Sequence, residues 1–340
     1  MALLPYDGTM NANTDDGGNG KLKRTPTALH AHHSRRSALG LVLASGGSLS
    51  SGWRAIDRAA AQSTPGASPV SAMDYQRPEM LVDSSWLERH IADPSIVLVG
   101  FQPVEEFEAG HIPGSVQLDW PELEIADTSA ASLADWEVST SQLVARLGIG
   151  QSSAVVTYDN GTLFAARLWW VLAYLGYPPV HVLNGGLPGW IQAGGIVDTG
   201  PAAPPTPGLP GEARAPVADL LARFDEAKDS VAEPNIVFVD ARSADEFARG
   251  HIPGAVNVNY PLNVNAASPP YWKSQAELLA LYAGHGITPE KLIIPYCSSG
   301  VRSAVTAFTL RLIGFERVSL FTGSWNEWSA HPDAPIEVGS

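Results

Sequence analysis

The chain has a single cysteine, Cys297, among 340 residues. One thiol excludes an intramolecular disulfide framework and an all-cysteine zinc site. Any sulfur chemistry therefore rests on one side chain. Charge is also sparse, at 16% of residues, and the positive sign is the scarcer one. Lys and Arg number 21 against 35 Asp and Glu, for a net charge of −14. So acidic a chain lacks the basic face of a nucleic-acid binder and is not drawn to anionic lipid. No apolar run reaches the roughly 18 residues of a membrane span, so no integral membrane segment is expected. No metal-ligand or flavin fingerprint is present, and Asn184-Gly185-Gly186 does not follow the phosphate-binding pattern. The expectation is no cofactor and no metal. Apolar residues make up an ordinary 45%, which at this length suits about two globular domains.

Residues 1–61 read as an export signal rather than as part of a fold. A basic stretch (Lys21, Lys23, Arg24, Arg35, Arg36) precedes a weakly apolar run, SALGLVLASGGSLSSG, and then Ala59-Ala60-Ala61. That order is an n-region, an h-region and a small-residue cleavage site. The Arg35-Arg36 pair before a Gly/Ser-rich h-region resembles a twin-arginine signal. It predicts an exported, periplasmic or extracytoplasmic location with a twin-arginine export system as partner; without export the location is cytoplasmic. His30, His32 and His33 lie in this segment and read as solvated residues. Residues 62–77 read as a flexible spacer.

The rest is a tandem duplication. VLVGFQPVEEFEAGHIPGSVQL, from Val97, matches VFVDARSADEFARGHIPGAVNV, from Val237, including His111-Ile112-Pro113-Gly114 and His251-Ile252-Pro253-Gly254. Downstream, Tyr158, Gly176, Gly185 and Trp190 match Tyr296, Gly314, Gly323 and Trp328 in the same order and spacing. Such self-similarity marks a repeat. The domains are expected at 78–197 and 213–337, joined by a Pro-rich linker over 198–212. Each copy reads as α/β. Short β-branched runs at 96–99, 236–239, Ala154–Tyr158 and Leu292–Tyr296 suit buried parallel strands. Helices are expected over 164–175 and 301–313, ended by Gly176 and Gly314. Third strands are expected at Val180–Leu183 and 318–321. Strands alternating with helices predict a mostly parallel sheet flanked by helices in each copy. The recurrent Trp190 and Trp328 read as core.

Ligands of open α/β sheets bind beyond the carboxyl ends of the strands. There the second copy carries Cys297-Ser298-Ser299-Gly300-Val301-Arg302-Ser303, between a strand and a helix N-terminus. Backbone N–H groups and the helix dipole favour an anion at such a place. Gly300 permits the tight turn, and Arg302 adds positive charge. A cysteine so placed has a depressed pKa. The loop suits a sulfur nucleophile, with Cys297 catalytic and Ser298, Ser299, Gly300, Val301, Arg302 and Ser303 binding the anion. The alternatives are a buried structural thiol at Cys297 and an ion pair of Arg302 with Asp240 or Glu246.

The Cys-x-x-Gly-x-Arg-Ser loop, the paired HIPG segments and the tandem halves, over about 80–335, resemble the two-domain rhodanese family of thiosulfate and 3-mercaptopyruvate sulfurtransferases. The resemblance implies two rhodanese-like domains, with a Cys297 persulfide that takes sulfur from a small-molecule donor and passes it to cyanide or a thiol. It implies an inactive first copy, where Asp159 stands in place of the cysteine. In the family's substrate-binding segment Ala165-Ala166-Arg167-Leu168-Trp169-Trp170, it implies that Arg167 reaches across to the substrate. Ala173 replaces a further arginine of many relatives. Mercaptopyruvate-type members use a histidine, a serine and an aspartate together. Ser299 and His111 match two of these, and His111 is a further site candidate with a structural alternative. The aspartate position is Gly100. Arg302 resembles thiosulfate-using members more closely. The expected activity is sulfur transfer from thiosulfate, with mercaptopyruvate as donor or a persulfide-carrier role as alternatives. A phosphatase of the same fold needs five residues between cysteine and arginine, and this loop has four.

Overall fold

The structure, a computed structural model, describes residues 74–150, 153–177, 179–202 and 215–339. The expected export signal and most of the expected linker lie outside the described residues.

The first copy holds five parallel strands: β1 (Leu81–Val82), β2 (Ile96–Phe101), β3 (Val116–Leu118), β4 (Ala154–Tyr158) and β5 (Val180–Leu183). Their order is β1-β5-β4-β2-β3. The second copy repeats the centre of this sheet with β6 (Ile236–Asp240), β7 (Val256–Asn257) and β8 (Leu292–Tyr296), in the order β7-β6-β8. Val97 pairs with Val155, and Val237 with Ile293, so the two copies share one register.

The expected third strand of the second copy is a correction. Over 318–321 only single bridges form, Ile293 with Val318 and Leu221 with Leu320. The reason is Pro295 in the middle of β8. Ile293 N–H donates to the Arg317 carbonyl, and the Ser319 and Phe321 amides donate to the carbonyls of Ile293 and Pro295. The next donor of the parallel ladder would be the amide of residue 295, and proline has none. In the first copy Thr157 occupies this position, and β5 is a continuous strand paired with β4.

The helices form close to their expected bounds, at Ala165–Tyr174 and Val301–Leu312. Each ends on a glycine with positive φ, Gly176 (69°) and Gly314 (96°). Tyr177 and Phe315 amides reach back to the carbonyls of Leu172 and Leu310, which closes a Schellman turn. Apart from Arg167, the first of these helices is apolar all round, as expected of a buried helix. It packs on the second, with Trp169 edge-on to Phe308 at 5.2 Å. One apolar core therefore runs through both copies where they face each other, and each copy has a smaller core on its outer face. Trp190 and Trp328 are buried in those outer cores, each donating its indole N–H to a carbonyl a few residues on.

The segments expected to be loose are tied down at their described ends. Tyr75, in the expected spacer, is buried with its hydroxyl on the carbonyls of Trp272 and Lys273. Asp198, at the start of the expected linker, exchanges two backbone hydrogen bonds with His111. Both segments cover apolar surface or open backbone groups that would otherwise face water.

Candidate functional site

The loop after β8 turns its backbone inward. Trp325 and Asn326 amides, from the start of the helix Ser324–Ala330, donate to the carbonyls of Cys297 and Ser298. With those carbonyls tied outward, the loop amides are free to face the sulfur. Gly300 donates its N–H to Cys297 Sγ at 3.2 Å, and Ser303 Oγ lies 3.5 Å from it. Gly300 has φ 85°, and a Cβ there would lie 2.6 Å from the Thr322 carbonyl oxygen. Glycine is therefore required on two counts. The Cys297 amide is held by Ser324 Oγ at 3.1 Å. Burial alone would raise the Cys297 thiol. The Arg302 charge and hydrogen bonds from Ser303 and the Ser299 amide outweigh it, and the thiol lies below its ordinary value.

Arg167 is fully buried and does cross between the copies. Its Nη1 donates to Thr322 Oγ1 and its Nη2 to the Leu123 carbonyl, both at 2.9 Å, and its guanidinium lies over the Trp170 ring. A Cβ on Gly300 would approach Arg167 Nη1 to 3.2 Å, which places this charge beside the loop. Burial pulls the guanidinium down to about 10, against the opposing pull of Cys297 and Glu124. It stays charged at neutral pH.

Arg302 is shared. Its Nη1 and Nη2 bind both carboxylate oxygens of Glu246 at 2.8 Å, and Nη2 also binds Ser298 Oγ at 2.7 Å. The ion-pair alternative is thus realised with Glu246, while Asp240 pairs with Arg242 instead. Arg302 still lowers the thiol, so the pair reduces its field without cancelling it. Burial alone would raise the Glu246 carboxyl, but Arg302 and Ser243 hold it at about 2. Ser298 and Ser299 are half-buried, and Val301 and Ser303 are buried under the loop.

His111 belongs to a turn. Its Nδ1 meets the Phe107 carbonyl at 2.9 Å, and its ring stacks on Phe107 at 4.0 Å. His251 repeats this arrangement with Phe247 at 2.9 Å and 3.7 Å. A geometry common to both copies serves the Ile-Pro-Gly turn. The position matching the relay aspartate of mercaptopyruvate-type members is Gly100, packed against Phe107 and the Tyr158 hydroxyl. A Cβ on Gly100 would lie 2.8 Å from Phe107 and 2.9 Å from the Tyr158 hydroxyl.

The first copy shows what its loop does without a thiol. Asp159 sits where Cys297 would, and its own carboxylate fills the cradle. It accepts from the amides of Gly161 (2.7 Å), Leu163 (3.2 Å) and Ala165 (2.8 Å). The same loop therefore turns its amides onto a carboxyl group in one copy and an ionisable sulfur in the other; burial raises the Asp159 carboxyl, and the amides of Ala165, Gly161 and Leu163 oppose that rise. Sequence reasoning missed Thr322 and Ser324 as supports of the site. The signal was a difference between copies: Thr322-Gly323-Ser324 stands where the first copy has Asn184-Gly185-Gly186.

One expected result follows from the thiol's environment. Alkylation of Cys297 should rise with pH through a midpoint below the ordinary thiol value of about 8.5, because thiolate accumulates above the depressed pKa. Arg302→Met should move that midpoint upward. A midpoint at or above the ordinary value in the native chain would contradict the electrostatics described.

Among the described residues, no group of His, Cys, Asp and Glu is placed to hold a metal, and no helix is long and apolar enough to cross a membrane. The rhodanese-like domain model matches twice, over residues 83–193 and 223–331. A putative thiosulfate sulfurtransferase of Haloferax volcanii is 32% identical, covering 80% of this chain and all of its own length. The sulfur carrier protein TtuD of Thermus thermophilus is 33% identical, covering 78% and 99%. The crystal structure of the 3-mercaptopyruvate enzyme of Escherichia coli superposes with a TM-score of 0.64 at 31% identity, covering 73% and 99%.

Proposed function

The chain belongs to the tandem rhodanese-like sulfurtransferases, and from that premise we propose that it moves sulfane sulfur from thiosulfate to a thiophilic acceptor through a persulfide on Cys297. The observation that carries the reading is the thiol itself. It is the chain's only one, held at a helix start by the Gly300 amide and the Ser303 hydroxyl, and depressed by Arg302. Its thiolate attacks the sulfane sulfur of thiosulfate. A sulfur–sulfur bond forms to Cys297, the donor's own bond breaks, and the electron pair leaves with sulfite. The inward amides and the buried Arg167 stabilise the negative charge that builds in this step. An acceptor then removes the outer sulfur and returns the thiolate.

Thiosulfate is favoured over mercaptopyruvate because His111 Nδ1 is held by the Phe107 carbonyl of its turn and position 100 carries glycine instead of an acid. A His-Ser-Asp relay lacks its acid here, and thiosulfate cleavage needs no such relay. The test is thiocyanate formation from cyanide with thiosulfate and with 3-mercaptopyruvate, run side by side. Faster turnover on thiosulfate is expected. A clear preference for mercaptopyruvate would overturn the donor assignment. A second reading, a persulfide carrier, is favoured by the likeness to the Thermus carrier. It predicts stoichiometric sulfur loading of Cys297 with no turnover on either donor.

A further inference from the structure

The helix Ser324–Ala330 holds the backbone of the Cys297 loop. Its first residues supply three ties. Ser324 Oγ accepts from the Cys297 amide at 3.1 Å, and the Trp325 and Asn326 amides donate to the Cys297 and Ser298 carbonyls at 3.0 Å. Glu327 comes next, and nothing in the loading step uses it. It is only 5% exposed. Its side chain folds back onto the turn before the helix, where a Cβ on Gly323 would collide with Oε2. From there it reaches the first copy. Oε1 accepts from the Thr128 amide at 2.7 Å, and the Thr128 hydroxyl lies 2.9 Å from Oε1 and 3.0 Å from Oε2.

Thr128 is itself well anchored. It is buried, and its Oγ1 accepts from the Phe224 amide at 2.8 Å. The next residue, Ser129, caps the 17-residue helix Ala130–Arg146. Glu327 therefore fastens the support of the thiol loop to the start of a long helix in the other copy, 199 residues away.

The two copies differ at these positions. Gly189 stands where Glu327 does, and Pro188 where Asn326 does. The first carbonyl tie survives in the first copy, from the Leu187 amide to the Asp159 carbonyl at 2.8 Å. The second cannot form, because proline has no amide to give. The copy that carries the thiol thus has an added tie on its loop and a buried acid next to that tie. The copy without a thiol has neither.

We propose that Glu327 is a positioning residue for sulfur transfer: by fastening the start of its helix to Thr128, it keeps the Cys297 and Ser298 carbonyls turned outward and the loop amides on the sulfur. The proposal rests on the reading of Cys297 as the sulfur nucleophile. A buried amide and hydroxyl are costly to leave without their acceptor, so the clasp favours one placement of the helix. An amide that drifts from the sulfur stabilises the thiolate less, and with it the charge that builds during loading.

The test measures the pH midpoint of Cys297 alkylation and kcat/KM on thiosulfate in the full chain. Glu327→Ala should raise the midpoint by about one pH unit, the equivalent of one charge-assisted hydrogen bond lost. It should lower kcat/KM about ten-fold. Removing an acid near a thiol by itself lowers the midpoint or leaves it alone, so a rise reads the loop and not the charge. Glu327→Gln removes the same acid but keeps an oxygen for the Thr128 amide, and its midpoint should stay at or below the native one. Thr128→Val breaks the clasp from the other side. It should raise the midpoint as well, and should add little to Glu327→Ala in a double variant. Tyr158→Phe strips a buried hydroxyl from the first copy and controls for general loosening, with a native midpoint expected. A midpoint unmoved or lowered in folded Glu327→Ala, full additivity in the double variant, or an equal rise in Tyr158→Phe would overturn the proposal. If Glu327→Ala does not fold, an unmoved midpoint in Thr128→Val overturns it instead. Mass spectrometry of the thiosulfate-treated native chain tests the underlying reading separately. Failure to find one added sulfur on Cys297 would overturn the persulfide, while the alkylation midpoints still decide whether Glu327 positions the loop.

Discussion

Cys297→Ser should abolish sulfur transfer, lowering turnover by at least about three orders of magnitude, while the chain stays folded. The substitution keeps the size and the acceptor character of the side chain. Gly300 can still donate its amide, and the Ser324 contact to the residue 297 amide is untouched. What is lost is the nucleophile. A serine hydroxyl in this cradle remains protonated where a depressed thiol is ionised, and oxygen forms no stable bond to sulfane sulfur of the persulfide kind. Stability should fall by about 1–3 kcal/mol, the cost of burying a hydroxyl in place of the thiol, offset in part by the Gly300 amide. Thiocyanate formation and a urea unfolding curve, measured on the same preparation, check both halves. Retention of a few per cent of native turnover by a folded variant would remove Cys297 from the mechanism.

The largest expected effect on stability lies at Asp240. It is fully buried and forms a bidentate pair with Arg242, which is buried as well. Asp240→Ala strands a guanidinium in the interior and should cost about 3–5 kcal/mol. The first copy indicates the remedy. At the matching positions it has Gly100 and Gln102, so the acid and the base are absent together. Gln102 Nε2 still donates to the Gly110 carbonyl at 3.2 Å, as Arg242 Nη2 does to Gly250 at 2.7 Å. Adding Arg242→Gln to Asp240→Ala should therefore restore much of the loss, because a neutral amide replaces an unpaired charge. The comparison is a double-mutant cycle in urea. A single-variant loss under about 1 kcal/mol, or a double variant no better than the single, would refute this account of the pair.

The duplicated framework was legible because its signals are local. The HIPG turns need glycine at Gly114 and Gly254, both with φ above 70°, and a turn of that kind is set within a few residues. The helix ends at Gly176 and Gly314 are of the same sort. The strand expected at 318–321 failed for a reason also present in the sequence, but visible only across a pairing. Pro295 lies in a different strand from the segment it disrupts, and its missing donor matters only once the two are neighbours.

The site divides along the same line. That Cys297 is the lone thiol, that it begins a loop, that Gly300 makes the turn and that a helix follows are properties of neighbouring residues, and the sequence alone determined them. Partners distant in sequence were decided only by the tertiary structure. Arg302 was open to Asp240 or Glu246, and packing selected Glu246, 56 residues away. Arg167 meets Thr322 across 155 residues. The contact of His111 with Phe107, through its ring and its Nδ1, forms only in the folded turn. A charge senses whatever the folded chain brings within a few ångströms, and its energy depends on burial there. Neither quantity exists before the two copies pack around their common core.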